Sequence, residues 1–75
     1  MKKPEVGDVW KSDKETVVVY DTFVLSDLAK AIKYLYLLRD GTIFSDADRE
    51  ELFIKCYTYL GKSKADINQL FEVEK

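Results

Sequence analysis

The fold of this chain is decided by residues 32–44, which read IKYLYLLRDGTIF. Two apolar runs flank the dipeptide Asp40-Gly41, which accepts the positive φ angles of a two-residue β-hairpin turn. The stretch therefore predicts two strands joined by a tight turn, and the remaining segments are assigned around that hairpin.

The predicted turn also determines which side chains share a face of the hairpin. It opposes Arg39 to Thr42, Leu38 to Ile43 and Leu37 to Phe44. One face then carries Leu35, Leu37 and Phe44, and the other carries Tyr34, Tyr36, Leu38 and Ile43. Because both faces are apolar, both must be covered, either by the rest of the chain or by a second copy of it.

The chain has 75 residues, which predicts a single domain spanning residues 1–75. Below roughly 80 residues a single core supplies only ~3–5 kcal/mol, so such domains often need a further source of stability. With one cysteine and no histidine, neither a disulfide within the monomer nor a cysteine–histidine zinc site is expected. Self-association remains as a possible further source.

The amino-acid composition disfavours several classes of protein. Hydrophobic residues make up 47% of the chain, which is typical of a folded domain and too high for a disordered one. The formal net charge of −2 disfavours a nucleic-acid binder, which usually carries a basic patch. The first residues lack the apolar region of a signal peptide, and no run is long enough to span a membrane, so a cytoplasmic protein without membrane contact is expected.

The complete prediction is an α+β domain with a small antiparallel, bent, barrel-like sheet of four or five strands and one helix. The strands are placed near residues 8–11, 16–24, 32–39, 42–45 and 57–62, and the helix at about 46–56. Residues 16–24 are rich in β-branched and aromatic side chains, which suit a packed sheet. Ser45 is a suitable N-cap, and Asp46 and Asp48 suit the positive end of a helix.

Residues 26–39 leave a second fold open. Ser26 or Asp27 could cap a helix there, because alanine, leucine and lysine favour helix and Gly41 could end it. The alternative is a β-hairpin followed by three helices, at residues 26–39, 46–60 and 64–71. The strand assignment is preferred because it uses the Asp40-Gly41 turn.

The residues that usually carry chemistry do not form a recognisable site. Without histidine there is no catalytic triad, and Cys56 is expected to be a buried thiol on a helix stripe with Leu52 and Phe53. The acidic residues Asp46, Asp48, Glu50 and Glu51 are expected to be capping and solvated charges rather than a cation site or an acid–base pair. No catalytic residue, metal or cofactor is predicted, and the protein is expected not to be an enzyme.

The sequence is compatible with two classes of partner, another protein chain and single-stranded nucleic acid. Tyrosine and tryptophan are enriched at interfaces, where the ring is buried and the polar atom stays wet. The candidate interaction surface consists of Trp10, Tyr34, Tyr36, Tyr57 and Tyr59, although half-buried tyrosines covering a small core would look the same. If Lys11, Lys33 and Lys62 met beside Trp10 and Tyr59, they would form a small surface for single-stranded nucleic acid.

The order of motifs along the chain also resembles that of a known group of proteins. It rests on Val6-Gly7-Asp8-Val9-Trp10, the valine-rich strand after it, the stretch 34–45, a short acidic helix and Tyr59-Leu60-Gly61-Lys62. This order resembles small proteins of Gram-positive phages and prophages, which implies a strongly bent sheet of the Src-homology-3 kind with a helix before the last strand. That group has no assigned functional residues. The expected function is a protein–protein interaction or self-association module, binding a second copy or another protein, and the alternative is a nucleic-acid-associated accessory protein.

Overall fold

A computed structural model describes residues 2–38, 40–64 and 70–74. Its elements are β1 (Asp8–Lys11), β2 (Thr16–Val24), β3 (Lys30–Leu37), β4 (Ile43–Arg49), α1 (Glu50–Cys56) and β5 (Thr58–Lys62). The strands form one antiparallel sheet in the order β4-β3-β2-β1-β5. In the described part of the chain β4 and β5 do not pair with each other, so the sheet is open rather than closed into a barrel. The α+β prediction with five strands and one helix is confirmed.

Two β-bulges interrupt the strand pairing. The register between β2 and β3 shifts at Tyr20, and the register between β1 and β5 shifts at Leu60. A bulge bends its strand and increases the local twist. The long strand β2 can therefore pair with β1 over its first half and with β3 over nearly all of its length.

The core lies on the sheet face that α1 covers. Its buried side chains are Trp10, Val17, Val19, Ile32, Tyr34 and Phe53. Successive side chains of a strand lie on opposite faces, so Val17 and Val19, two residues apart on β2, share the face of this core. Phe53 is the one fully buried side chain of the helix and anchors it to the sheet.

The hairpin of residues 32–44 forms, but its predicted register is wrong by one residue. The Gly41 N–H donates to the Leu38 carbonyl (3.0 Å), and the Leu38 N–H donates to the Thr42 carbonyl (2.8 Å), so three residues make the loop. The observed pairs are Leu37 with Ile43 and Tyr36 with Phe44. A shift of one residue moves side chains to the opposite face, so Phe44 joins Tyr36 on the core side and Ile43 joins Leu37 on the other.

The helix begins later than predicted. Residues 45–49 continue β4, where pairing with β3 supplies hydrogen bonds to a backbone that a helix start would leave partly unsatisfied. The N-cap position of α1 is occupied by Arg49, whose side chain makes no capping hydrogen bond. Neither Ser45 nor the aspartates therefore have the predicted capping role. The helix stripe was also wrong in part, because Leu52 is half-exposed and Cys56 is exposed.

The alternative fold with three further helices is wrong where the structure tests it. Residues 30–37 are strand rather than helix, and residues 58–62 are strand rather than the end of a long helix. The third predicted helix, at 64–71, falls mostly on residues 65–69, which lie outside the described residues. Among the helices that the structure does describe, none combines the length and the apolar character needed to cross a bilayer.

The last described residues run alongside β5. Ser63 and Val73 form an isolated antiparallel bridge, and the Glu74 N–H donates to the Lys62 carbonyl (2.9 Å). Gly61 lies under this segment with a φ of +149°. A Cβ at Gly61 would overlap the Val73 side chain, so both backbone conformation and space require glycine there.

Candidate interaction surface

The five aromatic residues predicted as an interaction surface lie in one cluster, but they differ in exposure. Trp10 and Tyr34 are each only 3% exposed and belong to the core. Tyr36, Tyr57 and Tyr59 are partly buried and pack against it. The structure therefore brings the predicted residues together, and it leaves little of Trp10 and Tyr34 for a partner to touch. A role in binding stays a prediction for the other three.

Phe53 of α1 is the centre of this aromatic cluster. Its ring stacks on Tyr57 at 4.4 Å between ring centroids, and its edge contacts involve Trp10 and Tyr34, both at 5.3 Å. Tyr59 meets Trp10 at 5.4 Å in an edge-to-face arrangement. Such geometries stabilise aromatic pairs beyond their buried area. The cluster thus covers a small core from within one chain.

Two tyrosine hydroxyls in the cluster are bound to carboxylates. Tyr34 Oη donates to Asp48 Oδ2 (2.6 Å), and Tyr57 Oη donates to Glu15 Oε1 (2.5 Å). Burial raises the pKa of both phenols above the ordinary tyrosine value, and the accepting carboxylates raise each pKa further. Both hydroxyls therefore stay protonated at neutral pH. They connect β4 and the β1–β2 turn to the core.

The lysines of the hypothetical nucleic-acid surface are not brought together. Lys11 is the last residue of β1, whereas Lys62 of β5 pairs with Asp8 at the other end of β1. Lys33 Nζ lies over the Phe23 ring. Lys62 Nζ is instead 2.7 Å from Asp8 Oδ1. Asp8 is fully buried, and its contact with Lys62 raises the pKa of that lysine. No pattern in the sequence predicts that Asp8 is buried.

The four predicted acidic residues are divided between two elements. Asp46 and Asp48 lie on β4, two residues apart and therefore on one face of the strand. Glu50 and Glu51 lie in the first turn of α1. Asp48 accepts a hydrogen bond from Tyr34, so its carboxylate links β4 to the core.

Two exposed apolar surfaces lie at opposite ends of the β2–β3–β4 half of the sheet. The first, here called the hairpin-end surface, is the end of the β3–β4 hairpin, whose apolar faces were expected to need cover. Leu37 and Ile43 lie on one face and Phe44 on the other, with Leu38 beside the loop, and each is 40–53% exposed. Phe44 stacks on Tyr36 at 6.0 Å between ring centroids. A depression of about 480 Å³ lies beside Leu37 and Leu38.

The second surface surrounds the β2–β3 loop and is called the tip surface. It includes a groove of about 310 Å³ lined by Phe23, Leu25, Ala31, Ala47, Asp48, Arg49 and Leu52. Leu28 lies in the adjoining loop and is 84% exposed, the largest value among the exposed large apolar residues. The loop is tied to the groove by an ion pair of 2.8 Å between Asp27 Oδ2 and Arg49 Nη2, and this pairing lowers the pKa of Asp27.

Known proteins offer no guide to these surfaces. No protein-family model, curated protein or solved structure matches the chain.

Proposed function

We propose that this chain is a non-enzymatic self-association module, and that copies meet through the exposed apolar surface of the β2–β3–β4 half. The observation that carries the proposal is the concentration of large apolar side chains at the two ends of that half. They are Val24, Leu28, Leu37, Leu38, Ile43, Phe44 and, next to them on α1, Leu52. Single exposed apolar residues are ordinary, whereas grouped ones mark interaction sites.

The size of the core supports association with a second copy. The buried cluster is small and centred on Phe53. The chain has one cysteine, so no disulfide within the chain can add stability. A domain of this size gains stability when a partner covers further apolar surface. A second copy is always present, so it supplies that cover without a separate partner.

The free edge of the sheet argues for contact through side chains rather than through added strands. In the described chain β4 has a neighbour on one side only. Its exposed Asp46, near the middle of the strand, places a charge on that edge. Charges on edge strands discourage open-ended strand addition. Closed association through the apolar surfaces fits this arrangement better than growth of a continuous sheet.

The resemblance to small phage and prophage proteins implies a helix before the last strand, and α1 lies before β5. We therefore include a phage-type origin and a cytoplasmic location in the proposal. The nucleic-acid alternative is not favoured. Lys2 and Lys62 contact Asp8, and Arg49 contacts Asp27, so these cations are partly neutralised.

Light scattering across a concentration series, at low and high salt, tests the proposal. The expected result is a mass that rises with concentration toward twice the monomer mass of 8.7 kDa. It should persist at high salt, because apolar contacts are not screened by ions. A mass of one chain at every concentration would refute self-association and leave the exposed apolar surface for another protein.

A further inference from the structure

Two loops of this protein use the same turn, which allows a comparison within one molecule. In the first, the Leu28 N–H donates to the Leu25 carbonyl (2.9 Å), and the Leu25 N–H donates to the Ala29 carbonyl (2.8 Å). An aspartate side chain, Asp27 Oδ1, accepts from the Ala29 N–H (3.2 Å). The loop therefore has three residues between its closing pair.

The second loop repeats each of these contacts. The Gly41 N–H donates to the Leu38 carbonyl, the Leu38 N–H donates to the Thr42 carbonyl, and Asp40 Oδ1 accepts from the Thr42 N–H (2.9 Å). In both loops the third residue has a left-handed backbone, with φ of +89° at Gly41 and +67° at Leu28. Glycine is the usual residue at this position of a three-residue hairpin loop.

Leucine at this position is therefore unfavourable, and burial of its side chain in the described part of the chain does not compensate for it. A left-handed backbone brings the Cβ of an L-residue too close to the carbonyl oxygen. Core packing cannot offset that cost, because Leu28 is 84% exposed. A strained residue that the fold does not need is a reason to look for a function.

The groove of the tip surface lies next to this leucine. Leu25, which closes the loop, lines the groove, and so does Leu52, which is half-exposed. The neighbouring depression is bordered by Lys30, Glu50 and Glu51. Among the described residues these three form no ion pair, so charges of both signs are available at the same rim.

We propose that Leu28 anchors the contact between two copies, with the Leu28 side chain of each copy seated in the tip groove of the other. The inference rests on the proposed self-association and names its interface. Each copy carries both a protruding leucine and a groove beside it, so a two-fold axis between them satisfies both at once. The same axis brings Lys30 of one copy toward Glu50 and Glu51 of the other, which makes the rims complementary.

Sedimentation velocity on single variants tests this assignment. Leu28→Gly and Leu28→Asn both suit the left-handed backbone, so both should fold, and removing two buried leucines per dimer should weaken association about 100-fold or more. Val6→Lys, at an exposed apolar residue outside both surfaces, is the matched control and should associate like the natural chain. Ile43→Lys tests the hairpin-end surface as the competing interface.

The outcomes distinguish an error in this interface from an error in the proposed self-association. If the natural chain associates, Leu28→Gly leaves association unchanged and Ile43→Lys abolishes it, this interface is wrong while self-association stands. If the natural chain is a monomer throughout, both are wrong. Loss of association in both Leu28 variants, with association of Val6→Lys intact and that of Ile43→Lys weakened less than theirs, supports the assignment.

A charge exchange tests the two-fold geometry itself. Lys30→Glu should weaken association by adding a carboxylate opposite Glu50 and Glu51. A copy with lysine at both glutamate positions should then pair with the Lys30→Glu chain more tightly than either variant pairs with itself. Equal pairing of all combinations would overturn the proposed arrangement, because the rims would then not face each other.

Discussion

Exchanging the residues at the left-handed positions of the two matched loops gives the sharpest test of the backbone argument. Leu28→Gly relieves a strain of about 1–2 kcal/mol in the folded state. Glycine gives back about 0.4–1 kcal/mol of that gain, because it has more freedom in the unfolded chain. A fully buried leucine contributes about 1.5–3 kcal/mol, and one that is 84% exposed contributes only a small part of it.

The net expectation is that Leu28→Gly raises the free energy of unfolding by about 0.5 kcal/mol and the melting temperature by about 2–4 °C. Gly41→Leu should do the reverse. Apart from its chain neighbours, no described residue has an atom within 4 Å of the position that a Cβ at Gly41 would occupy, so the cost comes from the backbone and not from a clash. The two variants should therefore differ from each other by about 1 kcal/mol in opposite directions from the natural chain.

Urea unfolding followed by circular dichroism measures both variants, at a protein concentration low enough that the chain is monomeric. Working below the association range matters because a dimer contact through Leu28 would add stability to the natural chain alone. The slopes of the unfolding transitions should agree, so that shifts of the midpoint report stability. A monomeric Leu28→Gly chain that is less stable than the natural one, or a Gly41→Leu chain that is equally stable, would refute the reasoning.

Three further predictions concern the fold. Gly61→Ala should cost about 1–3 kcal/mol in unfolding free energy from its left-handed backbone, plus an overlap with Val73 that Val73→Ala should partly relieve in a double-mutant thermal melt. Phe53→Ala should cost about 3–5 kcal/mol, enough to unfold a domain of this size, and its circular dichroism spectrum should lose the sheet signal; a cooperative melt would contradict this. Because the pKa of Tyr34 and Tyr57 is higher in the folded chain, their contribution to stability should be constant below about pH 10 and be lost above it, as the unfolded state alone releases these protons. Phenolate absorbance in an alkaline titration should then include a step coincident with unfolding, and the step should shrink in Tyr34→Phe; fully reversible titration of every tyrosine in a folded chain would contradict the burial of these hydroxyls.

Strand positions were largely predictable from the sequence because strand propensity and alternation act locally. The run 16–24 is a strand with the predicted bounds, and β1 was placed at residues 8–11 as observed. The helix start was wrong because residues 45–49 carry strong local helix-start signals. Pairing with β3, a contact between distant parts of the chain, outweighs those signals.

The site was less predictable than the fold. Of the five predicted surface aromatics, Trp10 and Tyr34 are buried, and composition alone cannot distinguish a covering tyrosine from a core one. Leu28 was not predicted as a surface residue, because its spacing from Ile32 and Leu35 also fits the apolar stripe of the alternative helix at 26–39. Only its backbone angle, and the matching loop at Gly41, mark it as unusual.

The sequence by itself determined that this chain is one small α+β domain without a disulfide or a cysteine–histidine metal site, because composition and local pattern fix those properties. The tertiary structure decided the hairpin register, the buried carboxylate of Asp8 and the grouping of exposed leucines at the two ends of the sheet. Each of these depends on which distant segments pair and on the bulges that shift them. A change of one residue in that pairing moves a side chain between the core and the surface.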